Sequence, residues 1–278
     1  MRLLAVLVCA VVACRGSEPS KQKPPAPAGS PVAGSAAIAL PPGDEKADPA
    51  VQADRREFVA DVMAFTHQTN GAVVDKLVHN TGMKAEWEAW EGSGAMTDER
   101  IKQFYKQTQN YIYDLGGWHL WDVDKRASDL ALVDELKSKG VKSVLDFGGG
   151  VGFNSLILAK AGFDVTLADL DSVTLKFAQF RAEQHGVKMK FWRTDVEPMP
   201  PDAKYDAILC LDVLEHLPKD VLHETVDKLV KLKHAKTVID VHAPFGRTAQ
   251  HPMHLDATED TKHQVERLQT ELPADAKG

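Results

Sequence analysis

Two patterns of hydrophobic residues divide the chain near Gly140. Before it, apolar residues recur every three or four positions, as Phe58, Val62 and Phe65 do, which is typical of amphipathic helices. After it, short apolar runs without polar alternation, such as Ala207-Ile208-Leu209, take turns with helical segments. Strands covered by helices on both faces have such runs. The second part therefore predicts an α/β fold with a doubly wound, mostly parallel sheet.

The alternation after Gly140 predicts about five strands. They are expected at Ser143 to Phe147, Val165 to Asp169, Lys188 to Arg193, Asp206 to Cys210 and Thr237 to Val241. Helices are expected at about Gly152 to Lys160, Val173 to His185, Lys219 to Lys231 and Thr258 to Leu272. No hairpin signal follows the fifth strand. We therefore expect the sheet to stop there, without a C-terminal hairpin.

The helical first part contains residues that typically begin or end helices. Thr97 is placed to cap a helix that we expect to end at Gly116-Gly117, and a last helix, about Lys125 to Lys139, closes at Gly140. We assign residues 51–125 to a helical cap or lid and residues 126–278 to the α/β domain.

Aromatic residues are dense in the cap, where Tyr105, Tyr111, Tyr113, Trp118 and Trp121 follow one another closely. Two interpretations stand. Aromatic side chains dominate helical packing surfaces, and they also form lids over cationic ligands, because cations favour aromatic faces.

The N-terminus differs in composition from the rest of the chain. Residues 1–14 combine Arg2 with an apolar segment and end in Val-Val-Ala-Cys, which resembles a bacterial lipobox with Cys14 as the lipidated residue and membrane tether. Residues 15–50, rich in Pro, Ala, Gly and Ser, predict a disordered tether. The alternative is a misassigned start, for instance at Met63, and a cytoplasmic protein. Cys210 is expected to be a packed hydrophobe.

Composition narrows the classes of function. The chain has 278 residues, 44% of them hydrophobic, and a formal net charge of -7. That charge argues against a broad nucleic-acid footprint, so we expect a small-molecule partner and no nucleic acid. No apolar run reaches the roughly 18 residues that a membrane-spanning helix needs.

The chemistry is concentrated between Val144 and Asp171. A strand, the turn Gly148-Gly149-Gly150-Val151-Gly152, a helix and a second strand follow in order, as in the first βαβ unit of a nucleotide-binding sheet. Asp169 comes about 20 residues after the glycines, where a carboxylate can accept hydrogen bonds from both ribose hydroxyls. Asp146 stands just before the turn, where it would repel a pyrophosphate and suit a cationic ligand.

This pattern resembles motif I of the class I S-adenosylmethionine-dependent methyltransferases, which have a Rossmann-like sheet. The dinucleotide fingerprint would need glycine where Phe153 stands, so a dehydrogenase is disfavoured. Two later segments also match the family: Arg193-Thr194-Asp195-Val196 and Leu211-Asp212-Val213-Leu214-Glu215-His216. The resemblance covers residues 144–241 and implies S-adenosylmethionine as cofactor, bound by Asp146, Gly148, Gly149, Gly150, Gly152, Asp169, Leu170, Asp195, Val196 and Leu211.

His216 is the leading candidate for a general base, with Glu215 beside it. The alternative for His216 is a structural role at the start of a helix. No metal is expected, although Asp212, Glu215 and His216 at i, i+3 and i+4 would share one helix face and resemble the Glu-x-x-Glu-His metal motif of small-RNA 2′-O-methyltransferases. His251 and His254 are the further candidates for such a site.

The sequence therefore predicts a methyltransferase that acts on an oxygen, nitrogen or carbon atom of a small molecule. The alternative is a non-catalytic lipoprotein that keeps the nucleoside-binding fold. S-adenosylmethionine is made in the cytosol, so an exported enzyme would lack it, but a module without ligand would have no chemical need for both Asp146 and Asp169.

Overall fold

The computed structural model describes residues 38–41, 44–79, 82–200 and 203–274. The predicted leader and residues 15–37 of the tether lie outside this part. The end of the predicted tether is structured, because Asp44–Lys46 form a 3-10 helix. Asp44 also forms an ion pair with Arg55, with 2.9 Å between Oδ1 and Nη1. Residues 44–46 are therefore helical, although the prediction assigned them to the disordered tether.

Six helices precede the sheet in the described part of the chain. They are α1 (Pro49–Thr66), α2 (Asn70–His79), α3 (Gly82–Gly92), α4 (Asp98–Gln107), α5 (Asn110–Trp121) and α6 (Val123–Ser138). Thr97 caps α4 as predicted, since its side chain accepts a hydrogen bond from the backbone N–H of Arg100. None of the helices described is long and apolar enough to cross a membrane.

The prediction that a helix ends at Gly116-Gly117 is wrong. The break falls at Thr108, which has an extended conformation, and α5 continues through both glycines to Trp121. Gly116 allows α5 to pack closely on α1, because a Cβ at this position would lie 2.3 Å from Cε1 of Phe58. The absence of a side chain lets the two helices approach each other, and here it does not end the helix.

The sheet has five strands in the order β3-β2-β1-β4-β5, and every neighbouring pair is parallel. The strands are β1 (Ser143–Phe147), β2 (Asp164–Asp169), β3 (Lys190–Arg193), β4 (Ala207–Leu211) and β5 (Val238–His242). The fold class is as predicted, and the strand limits differ from the prediction by at most two residues. No described strand follows β5, in agreement with the missing hairpin signal.

Helices cover both faces of the sheet. One face packs against α9 (Lys219–Lys231) and α10 (Glu259–Thr270), and the other packs against α6, α7 (Phe153–Lys160) and α8 (Val173–Gln184). Alternate residues of β1 face the two layers: Leu145 contacts the first cluster and Val144 the second. The strand order reverses between β1 and β4, and ligands bind at such a switch point beyond the strand carboxyl ends.

The helical cap packs against the edge of this switch point. Phe58 of α1 stacks on Phe153, the first residue of α7, with ring centroids 5.0 Å apart, and it meets Phe177 of α8 edge to face. Tyr113 and Ile112 of α5 are buried in the same cluster. The cap is thereby fixed to the helices that follow β1 and β2.

Candidate active site

A cavity of about 1310 Å³ opens where β1 and β4 end. Ordinary small-molecule pockets measure roughly 300–1,000 Å³, so this one has room for a nucleoside cofactor and a second ligand. The strand-end loops of the sheet form its floor, and α3, α4, α5 and α6 contribute the cap side. The residues that the sequence singled out can now be placed around it.

The glycine turn lies against the loop that follows β4. Gly148 has φ +74, and a Cβ there would stand 2.3 Å from Cγ2 of Val213. Both the conformation and the close approach therefore require glycine. Gly148, Gly149 and Gly150 line the cavity, whereas Gly152, with φ +76, lies at the N-cap of α7.

Asp169 joins the end of β2 to the glycine turn. Its Oδ2 accepts a hydrogen bond from the N–H of Gly150 at 2.8 Å, and its Oδ1 accepts one from the N–H of Leu170 at 2.6 Å. Burial raises the pKa of Asp169 to about 6, against the effect of these hydrogen bonds. The carboxylate faces the cavity with lone pairs left to accept further donors.

Asp146, at the end of β1, is buried beside the same turn. Its Oδ2 accepts a hydrogen bond from the hydroxyl of Ser155 on α7, at 2.6 Å. Burial raises the pKa of the Asp146 carboxyl above its usual value. A cationic ligand would favour its ionised form.

Asp195 is at the cavity as predicted, but a lysine of the cap engages it. Its Oδ2 lies 2.6 Å from Nζ of Lys106 on α4, and its Oδ1 accepts from the N–H of Asp171 at 2.7 Å. Burial acts to raise the pKa of Asp195, but these hydrogen bonds outweigh it and leave the pKa below its usual value. Leu170 and Leu211 line the cavity, whereas Val196 is outside its lining and about half exposed.

Glu215 and His216 lie in a 3-10 helix, Leu214–His216, after β4. Glu215 is buried, and neither of its carboxylate oxygens has a hydrogen-bond partner among the described residues. Burial raises its pKa to about 8. An unpaired buried carboxylate is costly to a fold, and such groups are concentrated at functional sites.

His216 is held by the cap. Its Nδ1 lies 3.0 Å from the hydroxyl of Tyr105 on α4, and its Nε2 lies 3.9 Å from Oε1 of Glu215. Burial, together with His254 and His251, lowers its pKa to about 3. The imidazole is therefore neutral at pH 7.

The prediction that Asp212, Glu215 and His216 share a helix face is wrong. Asp212 precedes the 3-10 helix with φ +58 and lies 2.6 Å from Nδ1 of His242. His254 takes its place: it, Glu215 and His216 each have a ligand atom within 4.8 Å of the others. His251 stacks on His254, with ring centroids 4.8 Å apart, and is outside that group.

Comparison with known proteins shows what this geometry is similar to. Residues 144–234 match the model of a methyltransferase domain. This segment is therefore similar to a methyltransferase domain over about a third of the chain. The match covers both strand-end loops that form the cavity floor.

Two curated relatives of the methyltransferase domain are ubiquinone biosynthesis O-methyltransferases. The one from Bordetella avium is 31% identical over 109 residues, 35% of this chain and 45% of the relative. The one from Rickettsia felis is 35% identical over 74 residues, 27% of this chain and 30% of the relative. The matches thus span less than half the length of either relative.

A magnesium protoporphyrin IX methyltransferase from Synechocystis PCC 6803, solved with bound SAH, is a structural neighbour. It is 24% identical, with a TM-score of 0.35, over 59% of this chain and 68% of that one. The fold of the α/β domain is established by its own strand order.

Two residues of the cap line the cavity but were not predicted as site residues, Tyr105 and Lys125. Lys106, also from the cap, was not predicted as the partner of Asp195. Tyr105 was noted only as one of many aromatics. No local motif marks Lys106, because its partner Asp195 is 89 residues away. Lys125 has a local partner, Asp129 at i+4, but that spacing does not show that the lysine faces a cavity. Of the aromatics predicted to form a lid, Trp118 lines the cavity and Tyr113 is buried in the cap.

Proposed function

We propose that this protein transfers the methyl group of S-adenosylmethionine to a hydroxyl group of a small-molecule acceptor. The observation that carries the proposal is the unpaired buried carboxylate of Glu215, which lines the same cavity as the cofactor turn. The names of the relatives, O-methyltransferases of ubiquinone biosynthesis, favour oxygen over nitrogen or carbon as the attacked atom.

Residues at the carboxyl ends of the strands would bind the cofactor. Gly148 to Gly150 let the backbone approach the ligand, Asp169 accepts hydrogen bonds from the ribose hydroxyls, and Asp146 faces the charged amino-acid tail. Leu170 and Leu211 contribute apolar surface. Asp195 reaches adenine only if Lys106 shares or releases its Oδ2.

The transfer itself is an in-line displacement. A lone pair of the acceptor oxygen forms the new bond to the methyl carbon, the carbon–sulfur bond breaks, and its electron pair stays on sulfur as S-adenosylhomocysteine forms. Alignment and exclusion of water supply much of the acceleration. The cap closes the acceptor side of the cavity with Tyr105, Tyr111 and Met253.

The proton of the acceptor hydroxyl goes to Glu215 in its ionised form, whose share increases as the pH rises toward its pKa of about 8. Its carboxylate oxygens have no other partner among the described residues, so a bound hydroxyl would satisfy them. His216 then positions this carboxylate and the acceptor, held by Tyr105. This reverses the order of the two candidate bases that the sequence favoured.

The same group is suited to a divalent cation, which we propose as a second possibility at this site. One carboxylate and two imidazoles, from Glu215, His216 and His254, offer ligand atoms within 4.8 Å of one another, a donor set that suits zinc or manganese. A bound cation would acidify the acceptor hydroxyl. Isothermal titration with Mn²⁺ and Zn²⁺ tests it: no binding, and activity unchanged after exhaustive chelation, would eliminate the metal.

The test of the proposed function uses methyl-labelled S-adenosylmethionine and a panel of phenols and catechols. We expect label in at least one acceptor with the wild-type chain and none with Glu215→Gln, while Glu215→Gln still binds S-adenosylhomocysteine. A wild-type chain that binds S-adenosylhomocysteine but methylates no acceptor would favour the non-catalytic binding module. Mass spectrometry of the mature N-terminus tests lipidation of Cys14 separately.

A further inference from the structure

The connection between β5 and α10 forms one wall of the cavity. Residues 243–258 contain no helix or strand, and a connection of more than about 12–15 residues without such structure is uncommon and often functional. Phe245, Met253 and His254 of this segment line the cavity. A ring nitrogen of His254 lies within 4.8 Å of a carboxylate oxygen of Glu215. We call residues 243–258 the acceptor wall, because they lie on the side of the cavity where the acceptor would bind.

The acceptor wall holds the backbone of Glu215. The N–H of Leu255 donates a hydrogen bond to the carbonyl oxygen of Glu215 at 2.6 Å. The wall folds back on itself at this point, since the N–H of Gly246 donates to the carbonyl oxygen of Leu255 at 2.8 Å. Nδ1 of His254 also lies 2.9 Å from the carbonyl oxygen of Pro244. A displacement of the wall would therefore move the candidate base.

Two contacts join the acceptor wall to the cap. Met253 packs against the buried cluster of the cap that contains Trp87 and Phe104. Nη2 of Arg247 lies 2.6 Å from Oε1 and 2.8 Å from Oε2 of Glu91 on α3. The wall therefore has an apolar contact inside the molecule and an ion pair at its outer side.

The carboxylate of Glu91 stands on a firmly held turn of α3. Nε1 of the neighbouring Trp90 donates to the carbonyl oxygen of Arg100 on α4 at 3.1 Å. The guanidinium of Arg100 lies over the Trp90 ring, 5.1 Å from its centroid. Because α4 also carries Tyr105, which contacts His216, the ion pair joins the wall to the helix that holds the imidazole.

The ion pair lies outside the cavity and in contact with solvent. Neither Arg247 nor Glu91 is among the residues that line the cavity, and their side chains are 48% and 34% exposed. An exposed ion pair favours the arrangement that contains it by a factor of about 5 or less. A contact of this strength can hold the wall closed and still open to admit an acceptor.

We propose that Arg247 and Glu91 are positioning residues, whose ion pair holds the acceptor wall closed on α3 and thereby keeps the acceptor beside Glu215. This rests on the proposed function, which assigns the acceptor to that side of the cavity. The cofactor would lie against the glycine turn and the end of β2, away from this contact. The ion pair should therefore affect binding of the acceptor and leave the affinity for the cofactor unchanged.

Hydrogen exchange of the full chain, measured by mass spectrometry, tests the ion pair without an acceptor. Arg247→Gln removes the charge, so exchange in peptides from residues 243–258 should become about 2- to 5-fold faster. Arg247→Glu should have a larger effect, because it places two like charges together. Arg247→Lys keeps the charge and should stay close to the wild type. The control is Lys190→Gln, which removes an exposed ion pair with Asp164 at the other edge of the sheet and should leave the wall unchanged.

Exchanging the two charges separates a positioning role from damage to the fold. Glu91→Arg alone should act like Arg247→Glu, and the double variant with both substitutions should restore wild-type exchange. With an acceptor found in the methyl-transfer assay, Arg247→Glu should raise the acceptor KM about 2- to 5-fold, and the double variant should lower it again. Because a bound acceptor itself favours the closed wall, kcat should change less than KM. Affinity for S-adenosylhomocysteine should stay unchanged, and circular dichroism confirms that each variant is folded.

Four results would overturn the inference. Unchanged exchange of the wall in Arg247→Glu excludes a stabilising ion pair, whether or not an acceptor is found. Faster exchange that the double variant does not restore assigns the effect to damage rather than to the pair of charges. Restored exchange with an acceptor KM that never changed excludes the positioning role while the proposed function stands. A chain that methylates no acceptor overturns the proposed function and the positioning role with it, and the exchange data then report on the ion pair alone.

Discussion

Tyr105 and His216 are joined by a hydrogen bond of 3.0 Å between the hydroxyl and Nδ1, although 111 residues separate them in the sequence. The contact connects α4 of the cap with the 3-10 helix after β4, and it fixes the orientation of the imidazole. The Tyr105 ring packs among the rings of Trp87, Phe104 and Tyr111. The cap therefore positions a residue of the candidate active site.

Replacing Tyr105 by Phe removes this hydrogen bond and keeps the ring. We expect kcat for methyl transfer to fall about tenfold, since a lost hydrogen bond to a buried partner is worth ~1–3 kcal/mol, while affinity for S-adenosylhomocysteine is unchanged. The ¹⁵N shifts of the His216 ring should also change. Tyr113→Phe is the control, because Tyr113 is buried outside the cavity lining and its hydroxyl has no hydrogen-bond partner among the described residues. Equal effects of the two variants would count against a positioning role.

Two effects of glycine at position 148 can be measured separately: its left-handed backbone conformation and its close contact with Val213. Gly140 has φ +73 and open space around it, whereas Gly148 has φ +74 and a side-chain carbon of Val213 only 2.3 Å from the position that a Cβ would take. Gly140→Ala should cost roughly 1–2 kcal/mol of unfolding free energy, from the left-handed conformation alone. Gly148→Ala should cost about 1–3 kcal/mol more and abolish cofactor binding.

Denaturant unfolding and calorimetry measure both quantities. Equal costs for the two alanine variants would mean that Val213 moves aside freely. The proposed contact between the two strand-end loops would then have no energetic weight.

Gly116 gives a second matched comparison, within helices. Gly116→Ala places a methyl group against the buried Phe58 ring, and overpacking of this kind costs ~1–3 kcal/mol. Gly71→Ala, in α2 with nothing within 4 Å, should be neutral or stabilise by about 0.4–1 kcal/mol. Thermal unfolding of both variants checks the difference, and a Gly116→Ala chain as stable as the wild type would contradict the close packing of α5 on α1.

Asp169 predicts a pH dependence of cofactor binding. Its pKa is raised from 3.8 to about 6, and only the ionised carboxylate accepts from both ribose hydroxyls. Affinity for S-adenosylhomocysteine should therefore weaken by up to about tenfold per pH unit below pH ~6. Asp169→Asn should bind weakly at all pH values and lose most of this dependence, and a parallel pH profile in the variant would assign the dependence to another group.

The raised pKa of Asp169 also makes the free energy of unfolding depend on pH. The folded chain binds the Asp169 proton more tightly than the unfolded chain does, so ionisation costs folding free energy. The contribution of Asp169 to stability is therefore present below about pH 4 and falls as the pH rises toward 6. Bound cofactor should offset this loss.

The α/β domain was predictable because its signals are local. The unalternating runs at Ala207 to Leu209 and the glycine turn before Phe153 mark strand and helix ends by backbone chemistry alone. The helix between each pair of parallel strands then requires a right-handed crossover. The limits of β3 were harder to predict, since Lys188 and Met189 fit a strand as well as Lys190 does.

The cap contacts could not be predicted in this way. Gly116 marks a helix end in most sequences, and only the position of Phe58 makes it a packing residue. Asp195 and Lys106 are 89 residues apart, and no periodicity relates them. Asp212 left the predicted helix face because the loop after β4 turns through a left-handed residue to reach His242.

Calorimetric titration of the full chain with S-adenosylhomocysteine and with NAD tests the central claim most directly. The geometry of Asp146, Asp169 and the glycine turn predicts saturable binding of S-adenosylhomocysteine at one site, lost in Asp169→Ala, and no binding of NAD. A folded chain that binds NAD, or that gives no heat with S-adenosylhomocysteine, would contradict it.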